Sequence, residues 1–81
     1  MQVAVDISLY PLDEDFIPPI KDVIDRLGQH EGVEIEYNRM STQLRGEFDV
    51  VMPAVTKEIR TTFEDIPKAV FAIRILNNPV N

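Results

Sequence analysis

Two short stretches of this sequence gather side chains that suit polar recognition. Ser8 and Tyr10 stand near the end of one apolar-alternating segment, and Asn38, Met40, Ser41 and Thr42 fall between two others. Hydroxyls donate and accept hydrogen bonds, and a carboxamide offers two donors and an acceptor, so this set can answer the edge of a polar heterocycle. Tyr10 and Met40 add an aromatic face and a polarisable thioether against which a flat ring can pack. Ser41 and Thr42 are equally at home as turn residues. The case for catalysis is thinner. Glu34 with Glu36, and Asp6 with Glu47, are carboxylate pairs that acid–base chemistry could use. Arg45 and Arg74 belong to the same face, however, and make ion pairing the simpler use. The one histidine, His30, has no nucleophile near it, and there is no cysteine. Zinc therefore finds few ligands, thiol chemistry is excluded, and the three scattered glycines form no phosphate loop. The sequence predicts no enzyme and no cofactor.

The elements that would hold these residues are legible in the hydrophobic pattern. Residues 3–10 alternate, with Val3, Val5, Ile7 and Leu9 on one face and Ala4, Asp6, Ser8 and Tyr10 on the other, the mark of a strand buried on one side. Pro11 ends it. Asp13, Glu14 and Asp15 then place negative charge at a helix N-terminus, and Pro18 and Pro19 are tolerated in its first turn. Phe16, Ile17, Ile20, Val23, Ile24 and Leu27 repeat at helical spacing until Gly28 or Gly32 closes the helix. Strands are predicted over residues 33–40 and 42–47, joined by a tight reversal near Met40 and Ser41 that carries no Asn-Gly or Asp-Gly signal. A second helix is predicted from about Asp49, with Pro53 in or just after its first turn. Its expected stripe is Phe48, Met52, Val55 and Ile59, flanked by Val51 and Phe63. Residues 64–68 read as a polar loop, residues 69–76 as the last strand, and residues 77–81 as a tail.

Strand, helix, strand, strand, helix, strand is the ferredoxin-like β-α-β-β-α-β order, an α+β sandwich. Right-handed crossovers give a four-stranded antiparallel sheet with both helices on one face and with the first and third strands central. The expected helix face is Val3, Val5, Ile7, Leu9, Val33, Ile35, Leu44, Phe71, Ile73 and Ile75. The opposite face is polar and mixed. This topology brings the end of the first strand to the reversal between the second and third, gathering Ser8, Tyr10, Asn38, Met40, Ser41 and Thr42 at one edge.

Length and charge set the limits. Eighty-one residues, the span 1–81, suit one small domain with a modest core, a size at which oligomerisation is a common supplement. The net charge of −6, from 14 acidic and 8 basic residues, supplies no basic face for nucleic acid or an anionic membrane. No apolar run approaches a membrane span or a signal peptide, which predicts a cytoplasmic protein.

The segments Ser8-Leu9-Tyr10-Pro11-Leu12 and Asn38-Arg39-Met40-Ser41-Thr42-Gln43-Leu44-Arg45-Gly46 resemble those of the thiamin- and hydroxymethylpyrimidine-binding YkoF-like family and its group of small thiamin-binding proteins. The Met-Ser-Thr step with a glycine four residues on is the most specific element. The resemblance implies non-catalytic binding of thiamin or its pyrimidine moiety. With such a ligand, the side chains themselves lead to the expectation that Ser41 and Thr42 hydrogen-bond the pyrimidine, that Ser8 and Asn38 assist, that Tyr10 and Met40 pack on a ring, and that Asp6 or Glu47 answers the thiazolium. Domains occur in tandem in YkoF-like proteins, so a single one implies a homodimer or homotetramer. The alternative is an assembly or regulatory module whose polar sheet face is a subunit interface.

Overall fold

The computed structural model describes residues 1–12 and 17–79. The acidic triplet Asp13, Glu14 and Asp15, Phe16, the side chain of Ile17, and the last two residues of the tail lie outside it. The elements are β1 (Gln2–Pro11), α1 (Ile17–Leu27), β2 (Glu34–Tyr37), β3 (Thr42–Glu47), α2 (Phe48–Asp65) and β4 (Ala69–Asn77). They form one antiparallel sheet in the order β2-β3-β1-β4, which is the ferredoxin-like arrangement. Val3, Val5, Ile7 and Leu9 of β1 and Leu44 of β3 are buried beneath Val23 and Leu27 of α1 and Val51, Ala54 and Val55 of α2. Among the described residues no helix is long and apolar enough to cross a membrane.

Several boundaries differ from expectation. β2 ends at Tyr37 rather than Met40, because Asn38 begins the turn. α2 runs on through Glu64 and Asp65, so the loop before β4 is shorter than predicted, while Pro53 sits just after the first turn of α2, as expected. The buried face of α2 is Val51, Ala54, Val55, Glu58 and Thr62, while Phe48 and Phe63 are exposed. Ile73 and Ile75 do lie on the helix side, opposite Ile7 and Val5, yet they are exposed. The helices pack over β1 and β3 and leave this stretch of β4 uncovered.

One close approach fixes β3 in place. A Cβ built on Gly46 would stand 2.5 Å from the Gly32 carbonyl oxygen, so only glycine lets β3 pass the turn that leads into β2.

The two helices are joined by a polar clasp. The Glu58 side chain is buried, and its carboxylate accepts from Arg26 Nε at 2.7 Å and meets His30 Nε2 at 2.6 Å. Arg26 Nη2 also donates to Thr62 Oγ1 at 2.8 Å, and that hydroxyl donates to the Glu58 carbonyl. Burial pushes the Glu58 carboxyl up, but the hydrogen bonds from His30 and Arg26 and their charge outweigh it and hold it below its ordinary value. A depressed carboxylate contributes stability above its unfolded pKa and loses that contribution as pH falls through the folded one. Glu58→Ala should therefore cost about 2–3 kcal/mol in denaturant melts, the lower end for a broken buried pair because Arg26 keeps some access to water. In thermal melts from pH 7 to 3, the wild type should lose stability below about pH 4 by a margin that Glu58→Gln lacks.

Candidate functional site

β1 is longer than the strand beside it. The β1–β3 ladder stops at Ile7 opposite Thr42, whereas the β1–β4 ladder runs on to Pro11 opposite Ala69. Residues 8–11 therefore have a strand on one side and a gap on the other. The hairpin turn closes the far side of this gap. The result is an open cleft of about 460 Å³ whose lining includes Ser8, Tyr10, Asn38, Met40 and Ser41. Leu9, Pro11, Leu12, Arg39 and Ile20 of α1 complete the wall.

The turn is held by Asn38. Its main-chain N–H donates to the Ser41 carbonyl at 3.0 Å, and its side-chain Oδ1 accepts from Met40 N at 2.7 Å and Ser41 N at 3.1 Å. The side chain thus stands in for the carbonyl that a two-residue hairpin would use, and neither Arg39 nor Met40 adopts a left-handed backbone. An Asx turn is the signal that a search for Asn-Gly overlooks. Across the gap, Ser8 Oγ donates to the Met40 carbonyl at 3.4 Å.

Five of the six residues singled out in the sequence meet here; Thr42 does not line the cleft. It stands opposite Ile7 and is buried on the helix face with Leu44. Asp6 lies one alternate position along β1 from Ser8, on the same face. The Arg74 guanidinium, and after it the Ser41 hydroxyl, hold its carboxyl below the usual range. Arg74 Nε donates to Asp6 Oδ2 at 3.0 Å, so the nearest carboxylate on this strand is already in an ion pair. Glu47 is remote. It pairs with the Met1 amino group at 2.9 Å and stands opposite Gln2, about 20 Å along β1 from Ser8 at the usual strand rise. His30 is held against Glu58 at the contact between the helices. Among the described residues there is no cluster of three or more potential metal ligands.

The chain matches, over residues 5–79, the family described as thiamine-binding protein. It belongs to that family. A Thermotoga maritima protein named for thiamine biosynthesis or salvage is similar in structure, with 27% identity, a TM-score of 0.69, and coverage of 93% of this chain and 82% of that one. A Bacillus cereus domain of unknown function is 25% identical with a TM-score of 0.71, covering 98% of this chain and 78% of its own. A hypothetical protein from Methanocaldococcus jannascii shares the fold at 22% identity, with a TM-score of 0.83 over 99% of this chain and 84% of that one. No curated protein matches the chain. Family membership supports a binding role.

The Asn38 side chain makes one wall of the cleft by holding two main-chain N–H groups. Asn38→Ala should cost about 1–2 kcal/mol in stability, since two acceptor bonds are exchanged for water. In NMR spectra the amides of Met40 and Ser41 should shift and exchange faster while those of Val3 and Val5 keep their protection.

Proposed function

We propose that this protein binds thiamin or its hydroxymethylpyrimidine moiety in the cleft between β1 and the turn at residues 38–41, without transforming it, and that it does so as a homo-oligomer. The observation that carries the reading is the meeting of Ser8, Tyr10, Asn38, Met40 and Ser41 around one cleft, in a chain of the thiamine-binding family. Tyr10 and Met40 are exposed there, free of core packing, and suit contact with a flat ring. Thr42 supports the site from below rather than touching the ligand. Asp6 is paired with Arg74 and Glu47 is distant, so the neutral pyrimidine is the better fit to this cleft than the thiazolium. The Thermotoga maritima neighbour's name points to the same chemistry.

Assembly has its own support. β4 is an edge strand of nine residues whose Val70, Ile73, Ile75 and Leu76 are exposed. A long apolar edge with one charged residue invites pairing with another copy. This also favours a second reading, in which assembly is the whole function.

Calorimetric titration with thiamin and, separately, with hydroxymethylpyrimidine should give saturable binding, and each should raise the unfolding free energy by roughly 2.7 kcal/mol at a hundredfold excess over its Kd. Tyr10→Ala should weaken binding about tenfold or more, as loss of an aromatic platform does, with little change in Tm because the ring is exposed. No heat and no stabilisation with either compound would leave assembly as the function. Ile75→Lys should lower the mass seen by sedimentation, and an unchanged mass would remove β4 from the interface.

A further inference from the structure

The hydrogen-bonding capacity of the cleft's side chains is partly committed already. Asn38 Oδ1 holds two turn amides, Ser8 Oγ is directed to the Met40 carbonyl, and the Ser41 hydroxyl bears on Asp6. The main chain is different. In an antiparallel strand each residue sends its N–H and C=O to the same side, and successive residues alternate sides. Two bonds fix the phase of β1. Leu12 N donates to the Lys68 carbonyl at 3.1 Å, and Asn78 N donates to the Gln2 carbonyl at 2.9 Å, so even-numbered residues face β4. The Met1 carbonyl accepts from Phe48 N at 2.8 Å, which sets odd-numbered residues toward β3. Val3, Val5 and Ile7 have partners there in Gly46, Leu44 and Thr42. Leu9 is the next in phase. Continued register would set it opposite Met40, but Met40 has turned away into the loop and its carbonyl faces Ser8 Oγ.

Leu9 thus directs one donor and one acceptor, side by side, into the cleft, with no strand opposite them among the described residues. Its side chain is buried in the core, which holds this pair in place. A buried or half-buried main-chain group without a partner is costly, and a ligand that supplies the partner recovers that cost. A peptide strand is a poor occupant. The next odd position is Pro11, which has no N–H to give, and the turn at residues 38–41 blocks the edge on the other side. The gap accepts a small planar molecule instead.

We propose that the Leu9 main-chain N–H and C=O read the edge of a 4-aminopyrimidine, with the N–H donating to the ring nitrogen and the C=O accepting from the exocyclic amine. This rests on the reading that the cleft takes a thiamin-type pyrimidine, and it says which edge of that ring enters. The discrimination lies in the order of donor and acceptor. Oxythiamin carries a carbonyl in place of the 4-amino group and a proton on the adjacent ring nitrogen. It would set donor against donor and acceptor against acceptor at Leu9.

The test combines titration with amide exchange. In the free protein the Leu9 amide should exchange fast, whereas those of Val5 and Ile7 exchange slowly. Thiamin should shift the Leu9 amide and slow its exchange, and oxythiamin should bind at least about 30-fold more weakly, as expected when a polar site meets a mismatched edge. Equal affinity for the two, with the Leu9 amide unmoved, would overturn this inference and leave the binding function standing. A slow Leu9 amide in the free protein would overturn it too, since another group would then hold the pair. If neither thiamin nor hydroxymethylpyrimidine binds, the functional reading fails, and 4-amino-2-methylpyrimidine at millimolar concentration decides the inference alone. A Leu9 shift absent with its 4-oxo counterpart upholds it, and no shift ends it.

Discussion

β1 is a central strand whose two neighbours differ in length, and the candidate site follows from that mismatch. β4 accompanies β1 to Pro11, while β3 lets go after Ile7. A strand that loses a neighbour exposes main-chain donors and acceptors that must be answered by something. Here the overhang is walled by the turn at residues 38–41 rather than left open to another strand. The site therefore needs no dedicated loop. It is made by ending one hairpin early and letting the strand beside it continue.

What ends the hairpin early is local and specific. Asn38 folds its side chain over the Met40 and Ser41 amides, which stops β2 at Tyr37 and starts β3 at Thr42. At the other end of β3, the Gly46 backbone passes so close to the Gly32 carbonyl that the strand cannot shift without a clash. A one-residue slip would also turn Leu44 out of the core. Turn and glycine together fix the register, and the register decides that Leu9, not Ile7, faces the gap. The helices contribute by keeping this sheet pressed on its core, with the Glu58–Arg26–His30 clasp tying α1 to α2.

The fold was legible because β1 and α1 follow simple periods and the element order admits few topologies. The meeting of Ser8, Tyr10, Asn38, Met40 and Ser41 at one candidate cleft was legible too, since topology alone brings the end of β1 to the hairpin. Thr42 was misplaced because its hydroxyl drew it into a polar set, although strict alternation puts it with Leu44. The buried face of α2 was legible in part: Val51 and Val55 are buried and Met52 and Ile59 pack against the core as expected, while Phe48 and Phe63 are exposed. Apolar spacing also drew in Phe48 and Phe63, whereas the Val51–Val55 row is continued by Glu58 and Thr62, whose partners sit on α1 and in the turn after it. No property of Glu58 in its own segment announces Arg26 and His30. The exposure of Ile73 and Ile75 was likewise hidden, because alternation gives the face of a strand and not the reach of the helices above it.

Among the described residues the sheet leaves three stretches of strand without a neighbour, and their chemistry sorts them. β2 is four residues long and carries Glu34 and Glu36, a short charged edge of the kind that discourages pairing. The β1 overhang offers one residue with both a donor and an acceptor before Pro11 interrupts it, enough for a small ring and too little for a strand. β4 is the long one, apolar on both faces, with Arg74 drawn aside to Asp6. Edge length and the placing of proline and charge thus separate the part of the sheet that can receive a small molecule from the part that can receive a second chain. The two do not compete, because β4 and the gap lie on opposite sides of β1.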